Sequence, residues 1–227
     1  MTTEEKKQFV VIGVNKSGTS VVAGILYYLG IDMFLDTKAN KNAIDLANKP
    51  VAENNPFKYN QFECQAMCVM NNRFIKLIEK DRRCIGSEDW RIIDNIQDKK
   101  IISYIKRRND KSNVWGVKDP RLIYTYPLWH KNLSNPKIII TIRDIRELAR
   151  SFSSRERVSI QRARAIINSG MICLDGIKKI SNDLLIVVFD DLLTNKEKVI
   201  KEIADYVGVK DYDIEHIKSF IYGKTAH

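Results

Sequence analysis

Four short runs of nearly unbroken aliphatic residues constrain this chain more than any other feature: "FVVI" ending at Ile12, "NVWGV" ending at Val117, "KIIITI" ending at Ile142 and "LLIVV" ending at Val188. A strand that is apolar on both faces, rather than alternating, is buried on both sides. The stretches between these runs carry helical spacing, and strands that alternate with helices form a parallel sheet covered on both faces. The expectation is therefore a three-layer α/β/α domain with a central parallel sheet. In such sheets ligands bind beyond the carboxyl ends of the strands. The residues to inspect are then Asn15 to Ser20, Lys118 to Arg121, Arg143 with Asp144, and Phe189 to Asp191.

A further, shorter strand is expected in "LGIDMFL" after a turn at Gly30. Amphipathic helices are expected over residues 61 to 80 and 88 to 109, the second opening with the acidic pair of "SEDW", and over about 144 to 155 and 158 to 182. "NKEKVIKEIADYVGV" reads as a last amphipathic helix that stops near Gly208. Residues 36 to 60, rich in Asn, Lys, Pro and Asp, lack periodicity and read as a long surface segment of the kind that forms lids. No linker, internal repeat or low-complexity tract interrupts the chain, so residues 1 to 227 are read as one domain.

Charge narrows the ligand class. Thirty-eight Lys and Arg against 28 Asp and Glu give a net +10, and residues 131 to 170 hold nine basic against three acidic side chains. An anionic ligand suits that surplus, with a solvated basic surface and nucleic-acid binding as rival readings of a pI near 9.4. The start "MTTEEKKQF" lacks the apolar core of a signal peptide, and no apolar run reaches 18 residues, which points to a cytosolic protein without a membrane span. Cys64, Cys68, Cys84 and Cys173 are too few for a disulfide framework, and no histidine lies near Cys64 and Cys68. No metal site is expected.

"GVNKSGTS", residues 13 to 20, follows the first strand and opens a helix. Gly13, Gly18 and Ser20 have the spacing of a kinase phosphate loop, but Thr19 stands where that loop needs its lysine, and Lys16 comes three residues early. A strand–turn–helix of this kind aims backbone N–H groups and the helix dipole at one point, which favours an anion. Asp144 is the only strand-end acid that could help a metal ion, and Arg143 beside it would oppose one. By itself the loop fits a phosphate ligand of another kind, or a turn with no ligand.

Together, "VIGVNKSGTSVVAGILYYLG", "WGVKDPRL", "IIITIRDIRELARSF" and "VVFDDLLTNKEKVIKEIADYVGV" resemble, in order and rough separation, the sulfotransferases that use 3′-phosphoadenosine 5′-phosphosulfate. The resemblance runs from about residue 8 to residue 209 and is strongest to small bacterial-type members with a K-D-P-R string. It implies a P-loop-like sulfotransferase fold and transfer of a sulfuryl group to a hydroxyl or amine, without a metal. In that family the loop lysine stands three residues ahead of the kinase position. The resemblance thus implies that Lys16 stabilises the departing phosphate while Asn15, Ser17, Gly18, Thr19 and Ser20 hold the 5′-phosphate.

"RDIRELARS" resembles the family's 3′-phosphate signature, which Arg143 and Ser151 match; Arg146 and Arg150 read as solvated or paired. Phe189 stands where many members place an aromatic against the adenine, and a core position is the equal alternative. Lys224 is a weak match to a basic residue on the 3′-phosphate. The acceptor must lose a proton, so a base is expected. "PFKYNQFEC" resembles a glutamate-bearing segment of bacterial-type members, which makes Glu63 the first choice and Asp119 the second, with His130, expected on a helix, read as structural. Lys118 would face the transferring group and Arg121 would brace Asp119 or substrate.

A small-molecule or carbohydrate acceptor would sit among residues 36 to 60, 61 to 109 and 152 to 170, with Phe57, Tyr59 and Phe62 as aromatic lining or core. The runner-up reading is a P-loop nucleotide or small-molecule kinase.

Overall fold

The computed structural model describes residues 6–33, 62–80 and 96–225. The four aliphatic runs form strands β1 (Lys7–Gly13), β2 (Val114–Lys118), β3 (Lys137–Ile142) and β4 (Leu184–Val188). All are parallel, in the order β2-β1-β3-β4, with Val10 beside both Val117 and Ile138 and Ile140 beside Ile186.

Nine helices are described around this sheet: α1 (Thr19–Tyr28), α2 (Gln65–Lys80), α3 (Lys99–Lys111), α4 (Leu122–His130), α5 (Ile145–Glu156), α6 (Ile160–Ile180), α7 (Phe189–Thr194), α8 (Lys196–Val207) and α9 (Ile214–Thr225).

The continuous apolar character of the strands has the expected cause. Side chains alternate between faces along a strand, and here each face meets its own core. Val10, Ile12, Val117, Ile138 and Ile140 pack with residues of α2 to α6, whereas Phe9, Val11, Ile139 and Val187 pack with α1, α8 and α9. The sheet is the middle of three layers, and the parallel α/β architecture read from the sequence is the one observed.

The strand order also locates a crevice. After β1 the chain returns on one side as β2 and then crosses to the other side as β3, so the connections diverge at the carboxyl end of β1. That end is Gly13, where the anion-loop candidate begins.

Some local expectations are corrected. "LGIDMFL" does not add a strand over its described residues: Ile31 and Met33 are buried, but only Asp32 bridges to β2, at Trp115. Gly116 N–H donates to Asp32 O at 2.8 Å, and the buried Arg108 guanidinium donates to Asp32 and to Gly116 O, so one arginine covers the β2 edge in place of a strand.

The helix expected over 88 to 109 is also shorter where it is described. Residues 96–98 are non-helical, and Asp98 caps α3 by accepting from Lys100 N at 2.7 Å. The "SEDW" start and residues 36 to 60 lie outside the described residues. Helices α7 and α9 are additional to the expected elements, and α4 gives bounds to the helix expected to carry His130. Gly208, at φ 81°, ends α8 in the left-handed conformation, matching the stop read from the sequence.

Ile140 lies on the central part of β3 and is fully buried. Ile140→Ala should lower unfolding free energy by about 2–5 kcal/mol, read from urea denaturation, because the parallel sheet on both sides cannot close the cavity.

Candidate functional site

The loop after β1 is shaped by a close contact with β3. A Cβ at Gly13 would fall 2.1 Å from Thr141 Oγ1 and 2.4 Å from Ser17 Oγ, so only glycine lets the two hydroxyls meet. They meet at 2.6 Å, buried. Ser17 N–H closes the turn onto Val14 O at 3.0 Å. Lys16 adopts φ 76° and Gly18 φ 94°, both left-handed, and for lysine that conformation is uncommon.

Helix α1 then opens on Gly18, which has no side chain to cap it. The first N–H groups of the helix lack intrahelical acceptors and point into the loop together with the positive end of the dipole. Thr19 is buried, Ser20 and Lys16 are half-buried, and Asn15 is exposed.

Lys16 is held in a cationic setting. Burial and the charges of Arg155 and Lys118 pull its ammonium down to about pH 8, with only Glu156 opposing. The loop lysine therefore senses both the end of α5 and the end of β2. An anion placed among them would relieve that repulsion.

Lys118 ends β2 almost fully buried, and its Nζ donates to Glu63 Oε1 at 2.6 Å. Glu63 Oε2 has weaker company: Arg121 Nη2 at 3.9 Å and the Cys68 thiol at 3.8 Å. Burial and the nearby carboxylates of Asp119 and Glu63 push the Cys68 thiol far up, so it stays protonated.

Asp119 is completely buried. It accepts from Arg121 N–H at 2.9 Å and from Asn71 Nδ2 at 3.0 Å, and lies 3.4 Å from Arg121 Nη1. Burial raises its proton affinity while Arg121 and Asn71 lower it. Arg121 Nη1 is itself buried with no hydrogen-bond acceptor.

The third group stands at the end of β3. Asp144 uses its carboxylate to cap α5, accepting from Arg146 N and Glu147 N, and Glu147 pairs with Arg150 at 2.7 Å. Arg143 instead lies over the Phe189 ring at 5.0 Å, and its buried Nε lacks a hydrogen bond, with Asp190 Oδ1 3.8 Å away. Phe189 in turn packs against the loop, since a Cβ on Gly18 would fall 2.1 Å from its Cδ2. Ser151 is half-buried on α5.

Two groups thus emerge. Gly18, Phe189 and Arg143 form one, Lys118, Glu63, Asp119 and Arg121 the other, and Lys16 is electrostatically joined to the second through Lys118. Ser17 uses its hydroxyl on Thr141 and its N–H on Val14 O, so its part is to hold the shape of the loop.

Thr141 and Asn71 complete these contacts and were not singled out from the sequence. Their only signal was a polar residue inside an apolar stretch, as in "IIITI". His130 Nδ1 bonds Tyr126 OH at 3.0 Å, away from these groups.

The architecture is that of the sulfotransferase fold. The sulfotransferase domain of the Synechococcus olefin synthase superposes with a TM-score of 0.54 at 14% identity, over 99% of this chain and 80% of that one. Sulfotransferase STF9 from Mycobacterium avium gives 0.56 at 13%, over 100% and 69%. The sulfotransferase domain of the curacin biosynthetic pathway gives 0.55 at 12%, over 93% and 77%. Neither a family model nor a curated protein matches the sequence. No helix among the described residues is long and apolar enough to cross a membrane.

Anion binding should depend on the Lys16 proton. Below about pH 8 the ammonium is already charged, whereas above it binding must also take up a proton, so affinity falls as pH rises. Calorimetry with sulfate, whose own charge is constant there, should show this decline, and Lys16→Met should flatten it.

Proposed function

We propose that this chain, acting as one domain, is a sulfotransferase that moves a sulfuryl group from 3′-phosphoadenosine 5′-phosphosulfate to a hydroxyl or amine on a small-molecule or carbohydrate acceptor. The observation that carries the proposal is the placing of Lys16: left-handed, half-buried, and electrostatically coupled to Lys118, which grips Glu63 at 2.6 Å. A phosphate cradle, two lysines and a carboxylate thereby fall along one path.

The residues fit the nucleotide. The uncapped start of α1, with Gly18, Thr19 and Ser20, suits the 5′-phosphate. Arg143 has a buried Nε without an acceptor, which suits the 3′-phosphate, with Ser151 assigned beside it. Phe189 already packs on Gly18 and under Arg143, so its remaining surface is assigned to the base. When bound, the nucleotide supplies a sulfuryl group on a phosphate leaving group.

Lys16 stabilises negative charge at the departing phosphate, and Lys118 stabilises it near the transferred group. Glu63 takes the acceptor proton. Oε2 is the oxygen assigned to that proton, because Oε1 is engaged by Lys118 at 2.6 Å, whereas the nearest groups to Oε2 stand 3.8 and 3.9 Å away. Asp119, with both oxygens hydrogen-bonded and no exposure, is assigned to holding Arg121 rather than to proton transfer.

The kinase alternative is weaker. Its lysine position holds the buried Thr19, and Asp144 is committed to capping α5.

A thermal-shift comparison tests the reading. Adenosine 3′,5′-bisphosphate should raise the melting temperature without magnesium and more than ATP, ADP or AMP; no preference for the 3′-phosphorylated nucleotide would sink it. Lys16→Ala should lower turnover by about 100-fold or more while changing nucleotide affinity far less. Glu63→Gln should abolish the acid limb of the pH–rate profile, and full activity across pH would remove Glu63 from the role of base.

A further inference from the structure

We infer that Asn71, which has no part in the scheme above, is a positioning residue: its amide fastens the helix after Glu63 to the segment that follows Lys118 at the end of β2, and through Asp119 it holds Arg121 back from Glu63. The inference rests on the reading of Glu63 and Lys118 as groups of the reacting site.

Asn71 lies on α2, which begins two residues after Glu63, and is fully buried. Its Oδ1 accepts from Thr125 Oγ1 and from Trp129 Nε1, both at 2.9 Å and both from α4. The Trp129 indole N–H can only donate, which identifies the Asn71 atom it meets as the oxygen, so the nitrogen must be the one facing Asp119 Oδ2 at 3.0 Å. The amide therefore presents a donor to Asp119.

That donor matters because Asp119 is completely buried. Its surroundings are Arg121 and Lys118 from its own loop, Asn71 and Cys68 from α2, and Glu63 just before α2. A carboxylate there stays charged only while donors hold it. If Asp119 took up a proton, Arg121 would lose the acid that holds its backbone N–H at 2.9 Å and its Nη1 at 3.4 Å. The guanidinium would then turn toward Glu63 Oε2, the oxygen assigned to the acceptor proton.

The same bonds have a mechanical effect. Glu63 and Lys118 are joined directly, and Asn71 to Asp119 joins the same two segments a second time. Two struts fix the angle between them, where one would leave a pivot.

A merely stabilising role makes a different prediction, and exchange of the pair separates the two. Asn71→Asp keeps an acceptor for Thr125 and Trp129 and replaces the amide donor with a carboxyl that must share a proton with Asp119. With adenosine-based sulfate donor and water as acceptor, its rate of sulfate release should fall by up to about 100-fold at unchanged nucleotide KM, and the acid limb should move to lower pH, because a guanidinium turned onto Glu63 favours its charged form. The double variant Asn71→Asp/Asp119→Asn restores a hydrogen bond between the two positions but moves the charge off the loop. It should recover melting temperature and not rate. Thr125→Val should lower melting temperature and leave the pH profile in place.

Recovery of rate together with stability in the exchanged pair, or an unmoved profile in Asn71→Asp, would overturn the inference. Absence of sulfate release from the wild-type protein would instead overturn the sulfotransferase reading, and a second measurement then decides on Asn71. In carboxyl-¹³C NMR, Asp119 should titrate at higher pH in Asn71→Leu than in wild type and be unmoved in Thr125→Val. No shift in Asn71→Leu would overturn it, and that variant also serves should Asn71→Asp fail to fold.

Discussion

A hydroxyl pair buried beneath the first loop governs the rest of the site. Ser17 and Thr141 meet at 2.6 Å through the space that Gly13 leaves open, which ties the loop after β1 to the adjacent strand β3. With Ser17 fixed from below, the turn must pass through left-handed conformations at Lys16 and Gly18. Gly18 then receives the Phe189 ring, and Phe189 receives the Arg143 guanidinium. Each contact supports the next across the ends of β1, β3 and β4. A methyl group at Gly13 would part the hydroxyls, and the cradle would have no floor.

The strands were legible because burial on both faces writes itself as runs of Val, Ile and Leu. The same rule misled at "LGIDMFL", where Ile31 and Met33 are buried beside an edge that Arg108 covers, so apolar character reported burial rather than pairing. The bounds of helix α4 were hidden for the opposite reason. Leu122, Ile123, Thr125, Tyr126, Leu128 and Trp129 are buried around its whole circumference, and Pro127 lies within it, so no amphipathic period remained to read. For the site, the strand-end rule placed Lys16, Lys118, Arg143 and Phe189 at one edge of the sheet. Asn71 and Thr141 were beyond it, because a polar residue in an apolar stretch does not name its partner, and these partners lie 48 and 124 residues away.

The charge surplus turns out to be sorted by depth. Among the cations of the site Lys118 lies deepest, with the Glu63 carboxylate against it, so the net charge there is small. Lys16 is half-buried and feels mostly like charge. Arg146, Arg150, Arg157, Arg162 and Arg164 are exposed. A desolvated ion pair is costly to break from one side, so Lys118 and Glu63 hold each other in place, whereas Lys16 gains from any anion that reaches it. The sequence surplus over residues 131 to 170 therefore describes mainly the rim, and the innermost cations come from outside that window.

The hydroxyl contact under the loop also places the site in time. Ser17 must wait for a residue 124 positions downstream, and Glu63 for one 55 positions downstream. Contacts of such separation close late, after the local helices and only once the intervening chain is compact. A chain emerging from its N-terminus completes the loop after β1 only when β3 docks against β1, with β4 and the three helices α7, α8 and α9 among the described elements still to come. Local order in the early part of the chain is then no measure of competence to bind. Occupancy of the cradle by an anion reports that the central sheet has closed, and any anion bound there makes that closure harder to reverse.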